Sequence, residues 1–298
     1  MNTENKTHSG FVAIVGPTNA GKSTLINTIM GRKVAAVSHK VQTTRTGLRA
    51  VKMVGDTQLV FVDTPGIFRP KRRLDRAMVD VAINSFANAD AVLLVLDAKH
   101  GITETIKNIV RDLPKNTPLF AFLNKADAVK KETLLPMIAG LSELADFRDI
   151  FMGSALKNDG VEPMLLGIAA VIPENPYFYD ATDSVDVPDF LWLAEITREK
   201  IYKFVHQELP YQIYVETEKV ETDADGVLEI YQKIAVASES HKKIVVGRAG
   251  EMLGRIGTAA RHEIQDEWGV NARLHLFVRV ETDWENRTES YNVQNLEM

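Results

Sequence analysis

The chain's 298 residues are 45% hydrophobic and 25% charged, the balance of a folded protein with one large or two ordinary domains, which excludes a largely disordered chain. A net charge of −5 means that any affinity for nucleic acid must come from a local basic patch and not from the whole-molecule field. The absence of cysteine excludes disulfides, thiol catalysis and thiolate metal sites, and no apolar run approaches the roughly 18 residues needed to span a bilayer.

The start, "MNTENKTHSG", is polar and has neither the apolar core of a signal peptide nor the arginine-rich character of a transit sequence, so the expectation is a cytoplasmic protein without a transmembrane segment. From residue 11 to about 172 short apolar runs alternate with amphipathic stretches. The runs are "FVAIVG", "LVFVDT", "AVLLVLDA", "PLFAFLNKAD" and "DIFMGSA", and their content of Val, Leu, Ile and Phe predicts strands covered on both faces. Segments long enough for crossover helices lie between them. This rhythm predicts an open, mostly parallel α/β sheet with ligand chemistry at the carboxyl ends of the strands. Alternation on both sides of Gly55-Asp56 predicts a β-hairpin, hence one antiparallel edge strand.

The first strand runs into "GPTNAGKST", which fits the phosphate-loop pattern G-x-x-x-x-G-K-[S/T] between a strand and a helix. Gly16, Pro17, Thr18, Asn19, Ala20 and Gly21 would curl backbone N–H groups round a phosphate at the start of the helix, followed by Lys22, Ser23 and Thr24. Lys22 would reach the β and γ phosphates and Ser23 would hold Mg2+. The second apolar run ends in Asp63, Thr64, Pro65 and Gly66: Asp63 would hold Mg2+ through water and the Gly66 N–H would meet the γ-phosphate. The next residue, Ile67, cannot orient an attacking water. The missing contribution must then come from charge stabilisation by an arginine finger or an extra cation, for which Asn19 offers a side-chain oxygen to a K+ ion.

The fourth of these runs ends in "NKAD". Asp127 would accept from N1–H and the 2-amino group of guanine, Lys125 would lie along the purine face, and Asn124 would tie this loop to the phosphate loop. Ser154, Ala155 and Leu156, after the fourth crossover, would supply a backbone N–H to the guanine oxygen. In this order and on these strand ends, the motifs resemble the translation-factor-like GTPases over the first 170 residues or so. ATP-specific relatives lack the N-K-x-D element. The polar stretch "SHKVQTTRTG" resembles the first switch loop of the subgroup that includes Era, in which a threonine completes the Mg2+ shell; Thr44 is the candidate and Thr43 its rival. Related GTPases with a hydrophobic residue after the Gly66 position use potassium with an asparagine at the matching place, so the resemblance also points to Asn19. The implied catalytic group is Lys22, Thr44, Gly66 and Asn19.

"VIPENPYFYDATDSVDVPDF", with three prolines and no periodicity, reads as a linker. Beyond it "FLWLAEITREKIYKFVHQ" has helical spacing, and "YQIYVETEKVET" and "GVLEIYQKIAVAS" alternate around an Asp-Ala-Asp-Gly turn. "ARLHLFVRVET" is the last strand. Between them, from His241 to Arg261, five basic residues (Lys242, Lys243, Arg248, Arg255 and Arg261) stand against one acid, Glu251. Within this stretch Gly247, Arg248, Ala249 and Gly250 form a G-x-x-G, whose backbone can approach the sugar–phosphate chain of single-stranded RNA. By spacing alone "KKIVV" reads as strand.

The order helix, strand, strand, loop, helix, strand is similar to a type II KH domain, and the resemblance makes "KKIVV" a short helix. With "QTTRT", "DTPGI", "NKAD", "ESHKKIVVGRAGEML" and "RIGTAAR", nearly the whole chain resembles the Era family of bacterial GTPases of small ribosomal subunit assembly. Ala249 and Arg248 depart from it, since relatives mostly carry glycine and lysine there. The implied layout is a P-loop GTPase domain at 9–174, a linker at 175–187, an α+β type II KH domain at 188–284 and a polar tail. The implied function is a GTP/GDP switch that grips the 3′ end region of small-subunit (16S) ribosomal RNA on the 30S subunit through Lys242, Lys243, Gly247, Arg248, Ala249, Gly250 and Arg255. The alternative is a GTPase whose basic stretch docks on a protein or, by peripheral association, on an anionic membrane.

Overall fold

The computed structural model describes residues 7–34, 48–63, 89–180, 185–186, 189–205 and 213–281. They fall into two units, one up to Asp186 and one from residue 189 onward. In the first, strands β1 (His8–Val15), β2 (Leu48–Val54), β3 (Thr57–Asp63), β4 (Ala91–Asp97), β5 (Leu119–Asn124), β6 (Phe147–Met152) and β7 (Val185–Asp186) form one sheet in the order β6-β5-β4-β1-β3-β2-β7. All neighbouring pairs from β6 to β3 are parallel; β2 runs antiparallel to β3 through the Gly55-Asp56 turn. Helices α1 (Lys22–Met30), α2 (Glu104–Asp112), α3 (Leu134–Leu144) and α4 (Val161–Ala169) complete the unit among the described residues.

The apolar runs become strands because both sheet faces are covered. Every residue of β4 and β5 is buried, and Val92, Leu94, Leu96, Ala121 and Leu123 pack against Ile106 and Ile109 of α2 and Leu141 of α3. β6 departs from the expectation: it is an edge strand, none of its residues is fully buried, and Met152 is 45% exposed.

The segment read as a linker is bound to the sheet. Gln58, fully buried on β3, accepts from the N–H groups of Phe178 (2.9 Å) and Tyr179 (3.1 Å) and donates to the Tyr179 carbonyl at 2.8 Å. Phe178 stacks on Phe11 with ring centroids 4.8 Å apart, and Tyr177 donates to the Asp56 carbonyl. Val185 and Asp186 then pair antiparallel with Ala50 and Arg49, so β7 displaces β2 from the sheet edge. Three backbone groups satisfied by one amide hold this chain without periodicity.

In the second unit α5 (Asp189–Phe204) is followed by β8 (Ile213–Thr222), β9 (Leu228–Val236), α6 (Glu239–Val246), α7 (Glu251–Trp268) and β10 (Ala272–Val280). The sheet order is β10-β9-β8, with β9–β10 parallel and β8–β9 antiparallel. One face of this sheet, through Val215, Ile234 and Val236, packs with Ile201 of α5, Val245 of α6 and Ile256 of α7. A buried polar ladder crosses this core: Thr197 donates to Gln232, which donates to Thr217. The stretch "KKIVV" is helical, because the Ser238 hydroxyl caps the helix by accepting from His241 N–H, Glu239 follows in the first turn, and Val245 is buried. Among the described residues no helix is long and apolar enough to cross a membrane.

Candidate functional site

Four strand ends of the first sheet converge at one edge. β1 ends at Val15 and gives way to Gly16, whose φ of 150° and contact with β4 admit no side chain: a Cβ would overlap the Val95 carbonyl oxygen. Gly21, at φ 98°, opens α1, and a Cβ there would overlap the Asn124 amide. These two glycines let the loop of residues 16–21 close against β4 and β5. Asn19 and Lys125, neither of them glycine, both take left-handed backbone, with φ of 62° and 60°. Pro17 accepts from Ala20 N–H to close the turn. Lys22, 8% exposed, folds back over the loop and donates to the Gly16 carbonyl at 3.0 Å and the Pro17 carbonyl at 3.1 Å. Ser23 is buried in the first turn of α1, and Thr24 follows it.

Asn124 joins three loops. Its Nδ2 donates to the Ala20 carbonyl at 2.8 Å, and its Oδ1 accepts from Lys125 N–H at 2.8 Å and Ala155 N–H at 2.9 Å. Lys125 Nζ donates to the Asn19 carbonyl at 2.8 Å. The hydroxyl of Thr28 on α1 donates to the Ala155 carbonyl at 2.7 Å. These bonds bring the segments 16–24, 124–127 and 154–156 together. Ser154 is buried while Leu156 is 83% exposed. Asp127 lies in the short 3-10 turn Ala126–Ala128; its carboxylate is 3.0 Å from Lys157 Nζ, and that contact, with the Ser154 hydroxyl, holds its carboxyl below the ordinary value.

Asp63 ends β3 opposite Ile14 of β1, two positions before Gly16. A buried serine hydroxyl on α1 and an aspartate on the neighbouring strand end are hard oxygen donors of the kind that Mg2+ takes beside phosphates. Thr43, Thr44, Thr64, Pro65, Gly66 and Ile67 lie outside the described residues.

Sequence reasoning missed three members of this site. Asp97 at the end of β4 holds Lys125, Lys157 faces Asp127, and Asp159 closes the 154–159 loop by accepting from Ser154 N–H. A single carboxylate closing an otherwise wholly apolar strand was the available signal for the first.

In the second unit α6 ends at Gly247 (φ 75°), where a Cβ would press on Met252. Arg248–Gly250 make one 3-10 turn, with Ala249 left-handed at φ 50°, and α7 begins at Glu251 from a left-handed Gly250. Lys243 on α6 and Arg248 and Ala249 in the turn are exposed, and Ile244 on α6 is 45% exposed. Lys242 is half-buried; Arg255 is exposed, with its guanidinium 4.4 Å from the Phe204 ring centroid.

A family described as "50S ribosome-binding GTPase" matches residues 11–125, and a KH domain matches residues 208–285. GTPase Era of Mesorhizobium japonicum is 47% identical over 292 residues, which cover 98% of this chain and 94% of the relative. GTPase Era of Rhizobium meliloti is 44% identical, over 98% and 93%. Among solved structures, Era in complex with MgGDPNP and nucleotides 1506–1542 of 16S ribosomal RNA superposes with a TM-score of 0.91 at 33% identity, covering 96% of this chain and 98% of that one. A variant of Aquifex aeolicus Era bound to GDP·AlF4− matches with the same TM-score, identity and coverage. With both domains in the same order and close to half its residues shared over nearly its whole length, the chain belongs to the Era family of GTPases.

Proposed function

We propose that this GTPase is a switch that grips the 3′ end region of small-subunit (16S) ribosomal RNA through the Gly247–Gly250 loop and acts in assembly of the 30S subunit in the cytoplasm. The observation that carries the nucleotide half is the three-way tie made by Asn124, which gathers phosphate loop, base-reading loop and the 154–156 turn into one cleft edge. The RNA half is supported by the likeness to the Era complex with 16S ribosomal RNA and by the basic, left-handed turn between α6 and α7.

In this reading the backbone N–H groups of residues 16–21 and the amino end of α1 surround the β-phosphate, and Lys22 leaves the Gly16 and Pro17 carbonyls to pair with the β and γ phosphates. Ser23, Thr44 and Asp63 would hold Mg2+, which would neutralise charge on the phosphates. Asp127 leaves Lys157 to accept from N1–H and the 2-amino group of guanine, and Ala155 N–H, engaged by Asn124, is shared with the guanine oxygen. The Gly66 N–H donates to the γ-phosphate. Water attacks phosphorus, GDP leaves, and inorganic phosphate is released. The domain limits 9–174 and 188–284 belong to the same reading, with residues 175–187 as the connection.

Because Ile67 orients no water, charge at the β–γ bridge must stabilise the transition state. Asn19, exposed on the phosphate loop, is our choice of ligand for a K+ ion there. The test is turnover in potassium against sodium at equal ionic strength: the reading expects faster hydrolysis in potassium and loss of the difference in Asn19→Ala. Equal turnover in both salts would assign the missing charge to an arginine from a partner.

A further inference from the structure

Asp97 is a buried carboxylate that no nucleotide motif contains. It closes β4, stands in register with Asn124 of β5, and is 6% exposed. The chain after it turns back at once, with Ala98 N–H donating to the Asn124 carbonyl and the N–H groups of His100 and Gly101 donating to the Asp97 carbonyl. Its Oδ1 accepts from Lys99 N–H at 2.8 Å, and its Oδ2 accepts from Lys125 Nζ at 2.7 Å with His100 Nδ1 at 3.2 Å. Burial would raise this carboxyl, but the Lys125 ammonium and the Lys99 N–H outweigh it and hold the group ionised below the ordinary value.

Lys125 bridges two places. Its ammonium is held by Asp97 on one side and by the Asn19 carbonyl on the other, and its backbone is left-handed. An unattached lysine at this half-exposed position would sample many rotamers in water. Two charge-assisted or carbonyl contacts fix its stem in one direction, between the end of β4 and the phosphate loop. The same bond fixes the carbonyl of Asn19, itself in strained left-handed backbone.

We propose that Asp97 is a positioning residue for the guanine nucleotide: it clamps the Lys125 ammonium, so that the Lys125 stem forms a preset wall for the purine and the phosphate loop is held at Asn19. Asp97 itself touches no nucleotide. The proposal rests on the assignment of residues 124–127 to the guanine site. A preset wall lowers the ordering cost of binding, so its loss shows as faster nucleotide release.

The experiment measures release of N-methylanthraniloyl-GDP from the full chain by stopped flow, for Asp97→Ala, Asp97→Asn, Lys125→Met and the double variant Asp97→Ala/Lys125→Met. A lost hydrogen bond to a charged group predicts release faster by about tenfold to a hundredfold in Asp97→Ala. Asp97→Asn, isosteric and still able to accept from Lys125, should recover part of that loss. The double variant should release no faster than Lys125→Met alone, a non-additivity that a general loss of folding stability does not produce. Release from Asp97→Ala within twofold of the parent, or losses that multiply in the double variant, would overturn the proposal. Asp127→Asn in the same assay separates the two levels. If it also releases GDP at the parental rate, the guanine-site assignment fails; if it loses GDP while Asp97→Ala keeps it, only the clamp fails.

Discussion

Replacing Asn124 by alanine removes one side chain and three hydrogen bonds, to the Ala20 carbonyl and from the Lys125 and Ala155 N–H groups. Asn124 is 2% exposed, so water does not reach its partners freely. At roughly 1 kcal/mol net for each bond the loss is about 3 kcal/mol, and groups left without a partner push it upward. That is on the order of a hundredfold in the ratio of folded to unfolded first unit, since about 1.4 kcal/mol is a factor of ten. With an m-value of about 1–3 kcal/mol/M, the urea midpoint should fall by about 1–3 M. The chain offers separate probes for its two units. All three tryptophans, Trp192, Trp268 and Trp284, follow residue 187, and the first two stack at 5.1 Å inside the second unit. Circular dichroism at 222 nm follows both units, while tryptophan fluorescence follows the second alone. The expected outcome is a dichroism transition moved to lower urea with the fluorescence transition in place. A dichroism midpoint unchanged within about 0.2 M would refute the view that Asn124 ties the three loops.

Asp127→Asn should weaken GTP binding and admit xanthosine triphosphate, whose 2-oxo group accepts where guanine donates; nucleotide competition measures it, and undiminished GTP affinity counts against the assignment. Gln58→Leu leaves the Phe178 and Tyr179 N–H groups and the Tyr179 carbonyl without their amide, so amide exchange at Phe178 and Tyr179 should rise and stability should fall by about 2 kcal/mol or more. Gly247→Ala forces a Cβ onto Met252 and should lower the melting temperature of the second unit, whereas Gly250→Ala meets nothing within 4 Å and strains only its φ of 84°. Hydrogen bonds from His275 and Arg273 hold the Glu229 carboxyl below its ordinary 4.5. Since the folded value is the lower one, Glu229 stabilises the fold above that pH and the contribution is lost as pH falls through the folded value. A melting difference between the parent and Glu229→Gln should therefore be present at neutral pH and close in acid.

The nucleotide half of the molecule was largely legible because its central strands are covered on both faces and so read as unbroken apolar runs, with β1, β3 and β5 running into a motif and β4 ending on Asp97 alone. β6 shares that composition but sits at the edge, and nothing local distinguishes an edge strand from a central one. The pairing of the linker read at 175–187 was not legible, because its partners, Gln58 and β2, are more than a hundred residues away and its hydrogen bonds to them are made largely by backbone, which composition does not report. For "KKIVV" spacing alone reads strand and the resemblance reads helix, and it is a helix. Its β-branched residues favour a strand in isolation, yet the Ser238 cap and the burial of Val245 make it a helix. Asp97 escaped because its partner, Lys125, is 28 positions away and meets it only through the pairing of β4 with β5.

The most direct test of the proposed switch is the affinity of a labelled single-stranded RNA carrying the 3′ end of small-subunit ribosomal RNA, measured with the chain loaded with a non-hydrolysable GTP analogue and then with GDP. The account predicts salt-dependent binding that differs between the two nucleotides, disappears in Gly250→Asp with GTP hydrolysis retained, and is not displaced by anionic lipid vesicles. RNA affinity that is unchanged in folded Gly250→Asp, or vesicle binding in place of RNA binding, would contradict it.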